Sequence, residues 1–166
     1  QENVDAIIVT NPYNRKYISN FTGTAGVVVI SQKDAKFITD FRYVEQAGKQ
    51  AVGFEIVQHK GPIQNEVAAQ LKAMGAKRIG FEQDNVTFST YKSYETVVEG
   101  ELIPLSNVVE NLRLIKTPQE IKILKEAADI ADAAFKHIIE YLRPGLTELE
   151  VSNELEFFMR KAGATS

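Results

Sequence analysis

The residues able to do chemistry are few. The chain has two histidines, His59 and His137, and no cysteine, which rules out a thiolate metal site and a disulfide framework. His137 lies in a long helical pattern whose neighbours at helical spacing include Ala133, Ala134 and Tyr141. None of these is a metal ligand, and a ligating histidine needs partners at matched positions. Its expected role is structural or solvated. His59 ends a strand beside Lys60-Gly61-Pro62 and reads as a loop residue. Glu148, Glu150, Glu154 and Glu156 fall in the first turns of a helix, where the macrodipole favours carboxylates. No His or Asp joins them, so they read as a solvated face. There is no G-x-S-x-G elbow, no phosphate-binding glycine loop and no H-E-x-x-H.

Two segments carry polar or glycine-rich character next to strands. Phe21-Thr22-Gly23-Thr24-Ala25-Gly26 precedes a strand rather than opening a helix, so it reads as a tight turn into a sheet. Asp40, Arg42 and Tyr43 follow a strand. In one reading Asp40 caps the next helix and Arg42 pairs with a carboxylate; in the other Arg42 binds substrate at a domain edge. The capping reading is favoured. On chemistry alone the chain offers no active site.

The elements that would position these residues are clearer. Short β-branched runs at 5–10, 25–30, 35–39, 54–57, 78–81 and 102–105 read as strands, with 25–39 as a hairpin. Helical spacing appears at 14–21, from Asp40 to Ala51, at 62–74 with Gly75 as its stop, at 88–98 and at 107–114. Asn11-Pro12 reads as the turn that closes the first strand. Strands alternating with helices after an early hairpin predict an α/β fold with a mixed sheet.

The pattern changes after Lys116. Thr117-Pro118-Gln119-Glu120 is a capping box with proline at the first helical position. Ile121, Leu124, Ala128, Ala131, Phe135, Ile138 and Leu142 then make one apolar stripe. Arg143-Pro144-Gly145 ends that helix, and a second capping box, Thr147 to Glu150, starts another. The pair forms an αα-hairpin with no sheet of its own to cover it. Either it packs back on the α/β domain, or its covering layer lies outside these 166 residues; the second fits better. The expected division is residues 1–112, a linker at 113–116, and the helix pair at 117–166.

Composition excludes several classes. Hydrophobic residues at 44% and charged residues at 25% are the balance of a globular domain. A net charge of -3 gives no general attraction to nucleic acid or to anionic membranes. The longest strongly apolar run, Ala25 to Ile30, is too short to cross a bilayer. The absence of cysteine fits a cytoplasmic protein.

Four segments together resemble the creatinase/prolidase, or pita-bread, metallopeptidase family. Asn14-Arg15-Lys16-Tyr17-Ile18-Ser19-Asn20-Phe21-Thr22-Gly23 is similar to the N-x-x-Y-[LI]-[ST]-x-F-x-G segment of its amino-terminal domain. Phe37 to Ala47 resembles its strand-to-helix step, T-D-x-R-Y-x-x-Q-A. Leu112 to Ile121 resembles the junction into the pita-bread α+β domain, and Arg143 to Glu150 that domain's first interhelical turn. The nearest members are bacterial Xaa-Pro dipeptidases and aminopeptidases P.

The resemblance implies an amino-terminal domain followed by an αα-hairpin that opens a truncated catalytic domain. It implies hydrolysis of the bond before proline by two divalent metals, manganese among the candidates, held by ligands beyond residue 166. The partners implied are proline-containing peptides and a second copy of the chain. This segment alone is expected to be inactive and to hold no metal. Its expected roles are dimer contact and shaping of the substrate entrance, with Phe21 and Arg42 as the entrance residues. Asp40, Tyr43, Thr117 and Gly145 carry the structural motifs. Creatinase lends a phenylalanine and, two positions on, an arginine to its neighbour's site; the matching residues here, Phe21 and Gly23, argue against creatine as substrate. A non-catalytic binding module of the same fold is the alternative.

Overall fold

The computed structural model describes residues 3–165 and divides them into two compact units, with a boundary between Leu114 and Ile115. Each unit is taken by itself.

The first unit is built on one six-stranded sheet. Its strands are β1 (Ala6–Val9), β2 (Val27–Ser31), β3 (Ala35–Thr39), β4 (Glu55–Gln58), β5 (Arg78–Glu82) and β6 (Glu101–Leu105), in the order β4-β3-β2-β1-β5-β6. β2 is antiparallel to both its neighbours, and every other pairing is parallel. The sheet is therefore mixed, as the hairpin predicts. Helices α1 (Pro12–Ser19), α2 (Val44–Gln50), α3 (Ile63–Ala73), α4 (Phe88–Val97) and α5 (Val108–Leu114) flank it.

Both faces of the sheet are buried, which explains the unbroken apolar runs. On one face Ile8, Val27, Val29 and Ile38 pack with Val67 and Leu71 of α3 and Tyr94 of α4. On the other Val9, Val28 and Phe37 pack with Phe21, Ala47 of α2 and Val109 of α5. The strand period of two sends alternate residues to opposite cores, so a polar residue at either register would be buried. β6 lies at one edge and contains Pro104. Glu101 N–H donates to Lys77 C=O, so odd-numbered residues of β6 face β5 and Pro104 faces outward, where its missing N–H breaks no ladder bond.

Two helix starts differ from the sequence reading. The first helix begins at Pro12, not Asn14, because Asn11 Oδ1 accepts Tyr13 N–H (2.9 Å) and Asn14 N–H (3.3 Å) as an N-cap. It ends at Ser19, with Asn20 left-handed at φ 58°, so Phe21 lies outside it. Asp40 does not cap α2. Residues 41–43 form a turn closed by Tyr43 N–H to Asp40 C=O at 3.1 Å, and α2 starts at Val44 with no side-chain cap. The carboxylate of Asp40 is taken by Arg42 instead, and Phe41, in the turn, stands exposed.

The second unit is an αα-hairpin of α6 (Pro118–Tyr141) and α7 (Glu148–Lys161). Both capping boxes form: Thr117 Oγ1 accepts Glu120 N–H while Glu120 Oε2 accepts Thr117 N–H at 2.8 Å, and Thr147 and Glu150 repeat the pattern. Gly145, at φ 97°, makes the connection. Ala134 and Ile138 are the buried residues of α6, whereas Ile121, Leu124, Phe135 and Leu142 of the apolar stripe are exposed.

Candidate functional site

All strands but β2 run the same way, so their carboxyl ends share one edge of the sheet, the edge where open α/β sheets place ligands. Two polar groups gather there.

The first lies past β3 and β4. Asp40 Oδ1 accepts Arg42 N–H (3.0 Å) and Nε–H (2.9 Å), and Oδ2 accepts Nη2–H at 2.8 Å. The bidentate fork explains the electrostatics: Arg42's hydrogen bonds hold the Asp40 carboxyl at about 2, and the same contact raises Arg42. The guanidinium lies 5.3 Å from the Tyr43 ring centre. Tyr43 Oη meets Thr24 Oγ1 at 2.8 Å. Phe21, 1% exposed, is packed 4.5 Å from Phe37 and edge-on to Tyr43 at 5.6 Å. Of the two residues expected at an entrance, Arg42 is exposed and Phe21 is part of the core. His59 follows β4, its N–H bonded to Thr39 C=O, with Nδ1 2.7 Å from Gly61 C=O.

Sequence reading missed Arg15, which sits in the middle of a polar helix yet is 5% exposed. Its guanidinium donates to the carbonyls of Gly26 (2.7 Å) and Gly23 (3.0 Å), in the turn before β2.

The second group, also missed, joins β1, α1, β5 and α5. Glu82 Oε2 accepts the N–H groups of Thr10 (2.6 Å) and Asn11 (2.7 Å). Glu82 Oε1 accepts Asn14 Nδ2–H at 2.7 Å, and the same amide donates to Glu110 Oε1 at 2.5 Å. Asn14 Oδ1 accepts Arg113 Nη1–H at 2.9 Å, and Asn14 is fully buried. Glu82 thereby ties α1 to the ends of β1 and β5, and Glu110 ties α5 to α1. The cleft they border, lined also by Asp84, Asn85 and Asn107, has a volume of about 30 Å³, room for ordered water and not for a peptide.

In the second unit the hairpin brings together two residues that the sequence left apart. His137 Nε2 lies 2.7 Å from Glu154 Oε1, and the ring stacks on Phe158 at 4.4 Å. Glu154 is thus paired across the hairpin rather than part of a purely solvated face. Among the described residues no group of three or more His, Asp or Glu could hold a metal ion. Nor, among these residues, is any helix long and apolar enough to cross a membrane.

Comparison with known proteins gives this architecture its context. Residues 1–115 match the creatinase/prolidase N-terminal domain, and residues 122–166 match metallopeptidase family M24, whose peptidases are dinuclear metal enzymes. The uncharacterized peptidase YqhT of Bacillus subtilis is 50% identical over 167 positions, covering 100% of this chain and 47% of the relative. The Xaa-Pro dipeptidase of Pyrococcus furiosus is 26% identical, covering 99% of this chain and 46% of its own length. Among solved structures, the Xaa-Pro dipeptidase from Bacillus anthracis superposes with a TM-score of 0.94 at 64% identity, over 98% of this chain and 46% of that one. The chain therefore spans about half the length of the relatives it matches. On the sheet, the helix pair and both matches, the chain belongs to the creatinase/prolidase family of metallopeptidases.

Proposed function

We propose that this chain is the entrance-shaping and assembly portion of a dinuclear-metal peptidase that hydrolyses the bond before proline. The observation that carries the reading is the likeness to an Xaa-Pro dipeptidase across 98% of the chain, through both units in order. The metal ligands, manganese by preference, come from the remainder of the enzyme. Arg42 and the exposed hydroxyls of Thr22 and Thr24 offer the polar rim, while Phe21 supports it from beneath. The working enzyme is a homodimer.

A creatinase-type amidinohydrolase is disfavoured by Gly23. A Cβ there would stand 2.3 Å from Phe21 Cζ and 2.9 Å from Tyr43 Cδ1, so an arginine could not enter without moving both rings. The experiment compares this segment with the full-length enzyme, each with manganese, on Xaa-Pro dipeptides, longer Xaa-Pro peptides and creatine. Proline-linked cleavage by the full-length enzyme alone is expected. Cleavage by the segment, or a full-length protein active only on creatine or on nothing, would refute the reading. The last outcome would favour a binding module.

A further inference from the structure

The turn from Thr22 to Gly26 is held at every residue by a side chain from elsewhere. Thr22 N–H donates to Gln50 Oε1 at 3.0 Å, and Thr24 Oγ1 meets Tyr43 Oη at 2.8 Å. Ala25 C=O accepts Thr39 Oγ1–H at 2.8 Å. The carbonyls of Gly23 and Gly26 both go to Arg15. Beneath them Gly23 lies against the Phe21 and Tyr43 rings, too close for any side chain.

Arg15 is the costly member of this set. Both its hydrogen bonds end on neutral carbonyls, and its buried Nε finds no partner among the described residues. Burial draws its pKa down, the mark of a charge held without full compensation. Ile18 of the same helix also packs on that core, so Arg15 is not alone in tying α1 to the sheet. What a guanidinium adds over an aliphatic side chain is a rigid planar fork, able to fix two carbonyls at once.

We propose that Arg15 is a positioning residue: its guanidinium fixes the Thr22–Gly26 turn as a preformed rim of the peptide entrance. The proposal rests on the entrance role given above. A rim ordered before substrate arrives spares the entropy of ordering it on binding.

The test uses the full-length enzyme with Arg15→Met, Arg15→Lys and Tyr43→Phe. Selective glycine labelling reads the backbone order of Gly23 and Gly26, and steady-state kinetics reads KM and kcat on an Xaa-Pro peptide. In the wild type both glycines should show order parameters of about 0.85, falling below about 0.6 in Arg15→Met. KM should rise roughly tenfold while kcat stays within about twofold, the signature of lost binding rather than lost chemistry. Arg15→Lys, which keeps charge but not the fork, should recover part of the KM. Tyr43→Phe, which leaves Arg15 in place, should show the same KM pattern more weakly. Unchanged glycine order in Arg15→Met overturns the proposal; should that variant fail to fold, unchanged order in Arg15→Lys does the same. A loosened turn with unchanged KM overturns the rim role while leaving Arg15's hold on the turn. A wild type with no Xaa-Pro activity refutes the entrance reading instead, and the order parameters still decide the hold of Arg15.

Discussion

Replacing Asn14 by alanine should cost the first unit more than any other single polar substitution in it. Asn14 is fully buried, and its amide makes three hydrogen bonds, to Glu82, Glu110 and Arg113. A bond to a charged partner contributes about 1.5–3 kcal/mol, so the simple sum is roughly 4.5–9 kcal/mol. Two features reduce it. Glu82 keeps the backbone donors of Thr10 and Asn11, and the adjoining 30 Å³ cleft lets water reach the freed carboxylates. About half the sum survives, a loss of about 2–4 kcal/mol, or roughly 10 °C in Tm for a chain of this size. Urea unfolding followed by far-UV circular dichroism is the assay, since the chain has no tryptophan. The midpoint should fall with m unchanged. The exposed Asn153→Ala should stay within about 0.5 kcal/mol. A loss below about 1 kcal/mol for Asn14→Ala would show that the network is solvated and holds nothing together.

Two further outcomes follow from local geometry. The Asp40 carboxyl should titrate near 2 by NMR and return toward 3.8 in Arg42→Ala. Because its folded pKa is depressed, its contribution to stability is present above 3.8 and is lost as the pH falls through about 2; a wild-type midpoint at 3.8 would disprove the fork. Thr117→Ala and Thr147→Ala each remove a capping box and should cost the hairpin about 1 kcal/mol, seen as a lower melting point with reduced helicity. No change on either would mean that the helix ends are solvated well enough without their caps.

The strands were legible because both sheet faces are buried, which leaves runs such as Val27-Val28-Val29-Ile30 without polar interruption. The two hairpin helices were legible because capping boxes are purely local. Asn11-Pro12 was ambiguous for a physical reason: the same pair ends a strand and caps a helix, and only the bonds to Tyr13 and Asn14 decide. Asp40 misled because a carboxylate before a helical pattern reads as a cap, whereas the nearby Arg42 fork binds it more strongly. The polar network was invisible because its partners lie 68, 96 and 99 residues apart. Arg15 looked like a solvated helix residue, since nothing in its neighbours announces a burial fixed by a turn eight residues on.

Pro104 makes the two rims of the sheet unequal toward growth. A strand docking on β6 would meet a gap in its ladder, while β4, at the other rim, contains no proline. Open-ended fibres must use both rims of every molecule, so the β6 rim and its proline defect recur along any such fibre. Pairing of β4 with β4 avoids it, but that contact is self-complementary and closes after two molecules. One residue on an edge strand thus steers accidental sheet pairing away from polymers and toward finite pairs.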